Sequence, residues 1–546
     1  MSMSARWQSV SEKFTLPRAL DRQAKLRPAG TCLHVGHEPI TCEELAVRSI
    51  RAANVLAGLG VGSGDRVAVF METTPEWLYA WFGLARLGAV VVPVNTAFRG
   101  DFLVNQLRHC EVKLLVLDEA LLPRLVAVAD EVPDLQGVLV HPSVPGASPD
   151  LTSLPPQLHG ASTAVLHEGE AVLGPVGRDP TWDQPGAIMH TSGTTGPSKG
   201  ALASHHYLVS AGASIAASWG MQPGEVVYGP LPLFHISCIG TVLGPLVSGA
   251  TGALDPVFSV TRCWDRIREV DAVGALLAGA MVRMLVNLPP DDRDRDLPLR
   301  FISAAPIPDD LYPIVEQRYG FKILTSYGMT EAFPLTLAGM SEPMAPGTSG
   351  RANPNFEVEV FDDGDQPVAS GTVGEIVCRP RRAHVMFDGY LGQWEATVER
   401  WRNLWFHTGD LGRFDDEGRL TFVDRKKDAL RRRGENISSF EVEQAVLRHP
   451  SVAAAAVVAV PSELGEDDVK VCVVAMPDVA LSYEDLLDFC VERLPYFAVP
   501  RYVEVFDEFP MNATGKVLKA DLRARGVTPG TWDREAAGYV VARRSP

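Results

Sequence analysis

A chain of 546 residues is longer than a single hydrophobic core organises, so two or more domains are expected. Its composition, 46% hydrophobic and 21% charged, is that of a globular protein and excludes a disordered or fibrous chain. A formal charge of −17 turns the surface against nucleic acid as a general partner.

Residues 1–7 lack the apolar core of a secretion signal. The best candidate for a membrane span, residues 241–258, is interrupted by three glycines, two prolines and an aspartate, so no membrane span is expected. Eight cysteines (Cys32, Cys42, Cys110, Cys238, Cys263, Cys378, Cys472 and Cys490) are scattered without paired spacing. That usage predicts reduced thiols and a cytoplasmic protein, with neither a disulfide framework nor a zinc site.

In chain order, apolar residues at helical spacing predict a helix over 45–59, stopped at Gly60. Strand signals follow at 66–70, 89–94, 114–117 and 137–140, with a helix over 77–87. Residues 141–185, rich in Pro, Gly and Ser, read as a long irregular connection. Strands at 226–228, 276–277 and 301–303 then alternate with helices at 264–270 and 309–319. This alternation predicts an α/β domain built on parallel sheet. At 356–361 and 374–378 the pattern changes to strict alternation with turns at 362–364 and Gly371, the mark of a smaller antiparallel sheet or barrel. After a strand at 420–423, the charged run DRKKD at 424–428 reads as a domain boundary, dividing 1–424 from 425–546. The second part carries helices at 439–447 and 483–492 and strands at 452–460, 470–475 and 502–505, a compact α+β unit.

Segment 190–200, HTSGTTGPSKG, carries the chemistry most openly. The ten residues after His190 hold five Thr/Ser hydroxyls, three glycines and one lysine, with no bulky apolar side chain. Thr191, Ser192, Gly193, Thr194, Thr195, Gly196 and Lys199 can wrap a polyphosphate: glycines admit close backbone approach, N–H and O–H groups donate, and lysine adds charge. The spacing is not that of a Walker loop. A plain Gly/Ser linker is the alternative, but apolar patterns resume directly on both sides.

Further segments complete a constellation: LFH at 233–235, FISAAP at 301–306, LTSYGMTE at 324–331, HTGD at 407–410, RRGEN at 432–436 and NATGK at 512–516. In this order, and over nearly the whole chain, they resemble the adenylate-forming superfamily of acyl- and aryl-CoA synthetases, firefly luciferase and peptide-synthetase adenylation domains. Segments 324–331 and 432–436 are most similar to the crotonobetaine/carnitine-CoA ligase-like group of acyl-CoA ligases.

The resemblance implies an α/β fold with a large N-terminal domain of β-sheets and helices plus a distorted β-barrel, then a small mobile α+β C-terminal domain. It implies that the ring of Tyr327, between Ser326 and Gly328, stacks near adenine. Thr330 would bind the α-phosphate and Glu331 would meet Mg2+, a hard cation suited to carboxylate oxygen. Ala304 and Ala305, where relatives often carry glycine, would let the adenine edge approach the backbone. Asp410 would accept from both ribose hydroxyls, with Arg425 reaching ribose or phosphate. Lys516 would bridge the substrate carboxylate and the α-phosphate. His235 would gate an acyl pocket lined by Ser237, Cys238, Gly279, Ala280, Met281 and Phe333. Gly279-Ala280 replaces a larger residue and a proline common in relatives, so an enlarged or reshaped pocket is expected there.

The basic cluster at 425–433 reads as a solvated face or a nucleic-acid patch on its own. By resemblance it is a hinge: Lys427 would let the small domain turn, Gly434 would line a pantetheine tunnel, and Arg431 would stand where some relatives keep a lysine for the second half-reaction. Ser438-Ser439 occupies the place of a common proline. The implied activity joins a small-molecule carboxylic acid to coenzyme A through an acyl-adenylate, with ATP and Mg2+, releasing AMP and pyrophosphate; no carrier-protein domain is expected after the last segment. The alternative keeps ATP activation with another acceptor, such as an arylamine diazotised with nitrite, or a carrier protein. A nucleotide-binding regulator without catalysis fits poorly with Lys516 and Glu331 both present. The acid and the oligomeric state stay open, a homodimer being one option.

Overall fold

A computed structural model describes residues 14–144, 180–191, 199–426 and most of 430–541, with isolated residues between 149 and 166. Arg66–Phe70, Val90–Pro93, Leu114–Asp118 and Gly137–His141 are short, near-continuous apolar runs, as strands covered on both faces require. They pair in parallel within a six-stranded sheet whose far edge is the antiparallel hairpin of Pro185–His190 and Gly200–Ser204. The helix Pro75–Leu87 starts where Thr74 Oγ1 accepts from Trp77 N at 3.3 Å and stops at the left-handed Gly88.

A second sheet has seven strands, in the order Lys322–Leu324, Phe301–Ala304, Ala272–Leu277, Val226–Gly229, Thr251–Leu254, Thr31–Val35 and Glu38–Thr41. The first six are parallel, and only the last pairing is antiparallel. One hydrophobic core joins both sheets: Val67, Val69 and Val91 of the first and Leu33, Val227 and Leu254 of the second share it with helices Cys42–Gly58, Pro75–Leu87 and His205–Trp219. The last of these helices is buried over most of its surface, so it has only a weak amphipathic stripe to reveal it in sequence. The helices and strands expected from sequence are present, with ends shifted by a few residues.

The chain forms two compact units. The larger holds the described residues up to 191, 199–358 and 378–404; the smaller holds 359–377 and those from 405 onward. A five-stranded sheet gives the half-barrel expected after residue 356, and Trp405–Phe414 and Leu420–Arg425 form its antiparallel hairpin. A further four-stranded sheet of Val452–Pro461, Asp467–Ala475, Tyr502–Phe506 and Trp532–Asp533 belongs to the smaller unit. All eight cysteines are free and buried.

That last sheet encloses a charge. Lys470 has no exposed surface; its amine pairs with Glu504 on the neighbouring strand and donates to the Gly526 carbonyl at 2.5 Å. Glu504, 3% exposed, also accepts from Arg525 at 3.0 Å and from the Thr528 hydroxyl at 2.9 Å. Removing one partner of a buried pair strands the other charge, which typically costs roughly 3–5 kcal/mol. Lys470→Met should therefore lower the unfolding midpoint of this unit markedly, and Lys470→Met with Glu504→Leu should recover much of the loss. Denaturant unfolding followed by hydrogen exchange of strand 467–475 checks both, and a midpoint unmoved by the single change contradicts the ion-pair account.

Candidate active site

Four neighbouring strands of the seven-stranded sheet run parallel, so their carboxyl ends lie along one edge. After Val226–Gly229 comes the segment with His235, Ser237 and Cys238; after Ala272–Leu277 come Gly279, Ala280 and Met281; after Phe301–Ala304 comes Ala305; after Lys322–Leu324 come Ser326, Tyr327, Gly328, Thr330 and Glu331. The crevice outside the carboxyl ends of parallel strands is where open α/β sheets take ligands. Topology thus brings together residues up to about a hundred positions apart in sequence.

Local packing sets each segment. The Ser237 amide donates to His235 Nδ1 at 3.2 Å and its hydroxyl lies 2.9 Å from the same nitrogen, so the neutral ring carries its hydrogen on Nε2. A Cβ on Gly279 would stand 1.8 Å from the Pro306 carbonyl oxygen. The space left by the missing side chain is therefore taken by backbone, and the enlargement expected from sequence does not arise at Gly279 itself. Ala304 is buried while Ala305 and Ala280 are exposed; Met281 and Phe333 are half-buried. Ser326–Met329 is itself a strand, paired antiparallel with Ala332–Leu337, and a Cβ on Gly328 would meet the Phe333 ring at 2.9 Å. Tyr327 is buried, and the Thr330 carbonyl accepts from the Tyr207 hydroxyl at 3.0 Å.

Glu331 is not the solvated charge that its residue type suggests in isolation. It is 7% exposed, its carbonyl accepts from Phe387 N at 2.8 Å, and its Oε1 accepts from the Tyr390 hydroxyl. Sequence reasoning missed Tyr390, because an aromatic beside a glycine in a loop carries no signal of a distant partner. The single buried carboxylate fits a Mg2+ ion that takes its other ligands from phosphate and water, and among the described residues no cluster of three or more His, Cys, Asp or Glu side chains competes for a metal.

The ends of the hydroxyl-rich loop are held as a hairpin: Thr191 N donates to the Lys199 carbonyl at 2.9 Å, and Lys199 N donates to the Thr191 hydroxyl at 3.3 Å. Ser192, Gly193, Thr194, Thr195 and Gly196 lie outside the described residues. Beneath the hairpin, burial first and His109 second push His190 down to about 3, so its ring is neutral, with Gln106 Nε2 at 2.9 Å from Nδ1 and Cys110 Sγ at 3.5 Å from Nε2.

In the smaller unit, Asp410 and Arg425 face each other across the 405–414 and 420–425 strands, with Arg425 Nε 3.9 Å from Asp410 Oδ1. The turn before Asp410 is fixed from behind. Glu375 accepts from Gly409 N at 3.1 Å and pairs with His407 at 3.1 Å and Lys426 at 3.2 Å. Burial works against the Glu375 charge, but His407 and Lys426 outweigh it and hold the carboxyl below its ordinary value. The residue surface of Lys516 is exposed, yet the surroundings of its amine depress it: desolvation first, then Arg425, push the pKa below the usual lysine value, while Asp410 pulls it back. The structure thus places Lys516, Arg425 and Asp410 within electrostatic reach of one another. Arg431 lies in the short strand Leu430–Arg432; Lys427 and Gly434 fall outside the described residues.

Two family models match this chain: the AMP-binding enzyme model over residues 20–391 and the AMP-binding enzyme C-terminal domain over 441–516. The chain belongs to the AMP-binding enzyme family. It is thereby an AMP-forming ligase of the adenylate-forming superfamily. A crotonobetaine/carnitine--CoA ligase of Salmonella paratyphi A is 31% identical over 487 residues, covering 87% of this chain and 91% of that protein. ATP-bound MatB from Rhodopseudomonas palustris superposes with a TM-score of 0.81 at 25% identity, over 94% of this chain and 99% of that one. The o-succinylbenzoate coenzyme A synthetase (MenE) of Bacillus subtilis, solved with ATP and magnesium, gives 0.79 at 25% identity, over 92% and 98%. No described helix of this AMP-binding enzyme is long and apolar enough to cross a membrane.

The charges around Lys516 predict its titration. Loss of the Arg425 cation in Arg425→Gln should raise the Lys516 pKa, and loss of the Asp410 anion in Asp410→Asn should lower it further. The rate of amine acylation at Lys516 against pH, read by mass spectrometry, measures this directly. Identical profiles in all three proteins contradict the arrangement.

Proposed function

We propose that this enzyme is an acid:CoA ligase that forms an acyl-adenylate and then an acyl-CoA thioester. The observation that carries the reading is the run of similarity to the crotonobetaine/carnitine--CoA ligases over 87% of the chain, supported by the position of Tyr327, Thr330 and Glu331 just after the carboxyl end of a parallel strand. ATP and Mg2+ serve the first step and coenzyme A the second. The substrate carboxylate attacks the α-phosphorus; the bond to the bridging oxygen of the β-phosphate breaks and pyrophosphate leaves. The thiol of coenzyme A then attacks the carbonyl, and AMP leaves. No protein nucleophile is needed, and the residues act by positioning and by meeting charge.

In this reading Ala304, Ala305, Ser326, Tyr327 and Gly328 seat the adenine. Asp410 and Arg425 hold the ribose side, Thr330 binds the α-phosphate, and the 191–199 loop takes the outer phosphates. Mg2+ supplies charge neutralisation of the phosphates, and Glu331 is the carboxylate that would hold it. Lys516, kept beside Asp410 and Arg425, meets the carboxylate and the α-phosphate together. His235 gates the acid pocket. Ser237, Cys238, Gly279, Ala280, Met281 and Phe333 carry no acidic side chain to receive a trimethylammonium group, which favours an acid with an uncharged tail over carnitine itself.

The second step calls for a turn of the region after residue 425 about Lys427, a gating motion of the kind that often sets turnover. Such a turn would part Asp424 from Ser439, whose amide donates to that buried carboxylate at 2.6 Å. It would bring Arg431 and Gly434 to the path of coenzyme A. The cytoplasm, where coenzyme A and reduced cysteines are at hand, is the proposed location.

A pyrophosphate-release screen over short, aliphatic and aromatic acids, with and without coenzyme A, identifies the acid. Lys516→Ala should reduce adenylate formation on the order of 10²–10³-fold, yet largely spare thioester formation from a supplied acyl-adenylate. Equal loss in both half-reactions contradicts the rotation. ATP turnover with nitrite and an arylamine, with no thioester from any acid, contradicts the choice of coenzyme A.

A further inference from the structure

Tyr390 lies between two groups that the sequence presents separately. Its hydroxyl donates to Glu331 Oε1, and Arg400 reaches the same hydroxyl. Its ring lies under the amine of Lys199, 4.9 Å from Nζ to the ring centre. The residue is 1% exposed, and its own amide donates to Thr397 Oγ1 at 2.9 Å. Its neighbours are bound to the strand that follows the hydroxyl-rich loop: Leu391 N donates to the Gly200 carbonyl at 2.8 Å, and Leu202 N to the Gly389 carbonyl at 3.0 Å. On the other side Phe387 N donates to the Glu331 carbonyl at 2.8 Å. Segment 387–391 is thus bonded at once to the loop-bearing hairpin and to Glu331.

The chemistry of the contact is directional. A glutamate carboxylate turns easily about its last torsion. A donor on Oε1 fixes its plane and leaves Oε2 for a cation. An ionised carboxylate can only accept, so in this contact the phenol hydroxyl is the donor. An ammonium over an aromatic face is held by the ring's negative π-surface without being neutralised, so Lys199 keeps its full charge for a phosphate.

We propose that Tyr390 is a positioning residue that couples metal binding to phosphate binding: its hydroxyl orients Glu331 toward the cation, and its ring aims Lys199 at the polyphosphate. The proposal rests on the assignment of Glu331 and Lys199 to Mg·ATP. Arg400 completes a relay of donors from guanidinium to phenol to carboxylate.

Two substitutions in the full-length protein separate the two halves of the side chain. Tyr390→Phe keeps the ring and removes the donor; Tyr390→Leu removes both. Equilibrium binding of a fluorescent ATP analogue is titrated against Mg2+, and thermal stability is measured without nucleotide. In Tyr390→Phe the Mg2+ concentration for half-maximal binding should rise on the order of 10-fold, the effect typical of an outer-shell partner of a metal ligand, while metal-free nucleotide binding stays near wild type. Tyr390→Leu should also weaken the metal-free binding, by about 2- to 5-fold. A wild-type Mg2+ dependence in Tyr390→Phe overturns the proposal, even where the melting temperature falls. Should Tyr390→Leu fail to fold, the phenylalanine variant alone decides. Glu331→Gln and Lys199→Ala serve as controls: if neither alters Mg·ATP binding, the assignment of the site fails, whereas a loss in both with none in Tyr390→Phe overturns only the coupling.

Discussion

The parallel pairing of four neighbouring strands is the constraint on which the larger unit depends. Lys322–Leu324, Phe301–Ala304, Ala272–Leu277 and Val226–Gly229 must all run one way for their following segments to meet at one edge. Neighbouring segments approach closely where glycine stands: a Cβ on Gly274 would lie 2.3 Å from the Phe301 ring, and one on Gly279 would overlap the Pro306 carbonyl. Small residues at these points set how near each strand end comes to the next. Adenine, acid and phosphate contacts assigned above all depend on that spacing.

Charge is managed differently in the two units. In the larger, buried Glu331 is met by a neutral donor, the Tyr390 hydroxyl. In the smaller, Asp410, Arg425 and Lys516 press on one another, with Glu375, His407 and Lys426 bracing the turn beneath Asp410. Two cations facing one carboxylate carry a net positive charge toward a ligand, which suits a phosphate whose charge shifts during displacement.

Much of the fold was legible because apolar runs such as RVAVF at 66–70 and the alternation at 356–361 report strand burial directly. The helix His205–Trp219 was not, since a helix buried over most of its surface has only a weak periodic stripe. The candidate site residues proposed from sequence were those within short segments of unusual composition: the hydroxyl-rich loop, YGMTE and HTGD. Tyr390 and Glu375 were not, because each acts through a partner about sixty or thirty positions away, and neither pairing leaves a mark on local composition. The burial of Glu331 likewise arises from tertiary packing, where residue type alone points to solvent.

Attack of a carboxylate oxygen on the α-phosphorus of ATP carries that oxygen into AMP. It is tested most directly by isotope transfer. An acid accepted by the enzyme, labelled with ¹⁸O in both carboxylate oxygens, is turned over with ATP and coenzyme A, and the products are weighed by mass spectrometry. The account predicts one ¹⁸O in AMP, one in the thioester carbonyl and none in pyrophosphate. Unlabelled AMP, or label in inorganic phosphate or pyrophosphate, would contradict it.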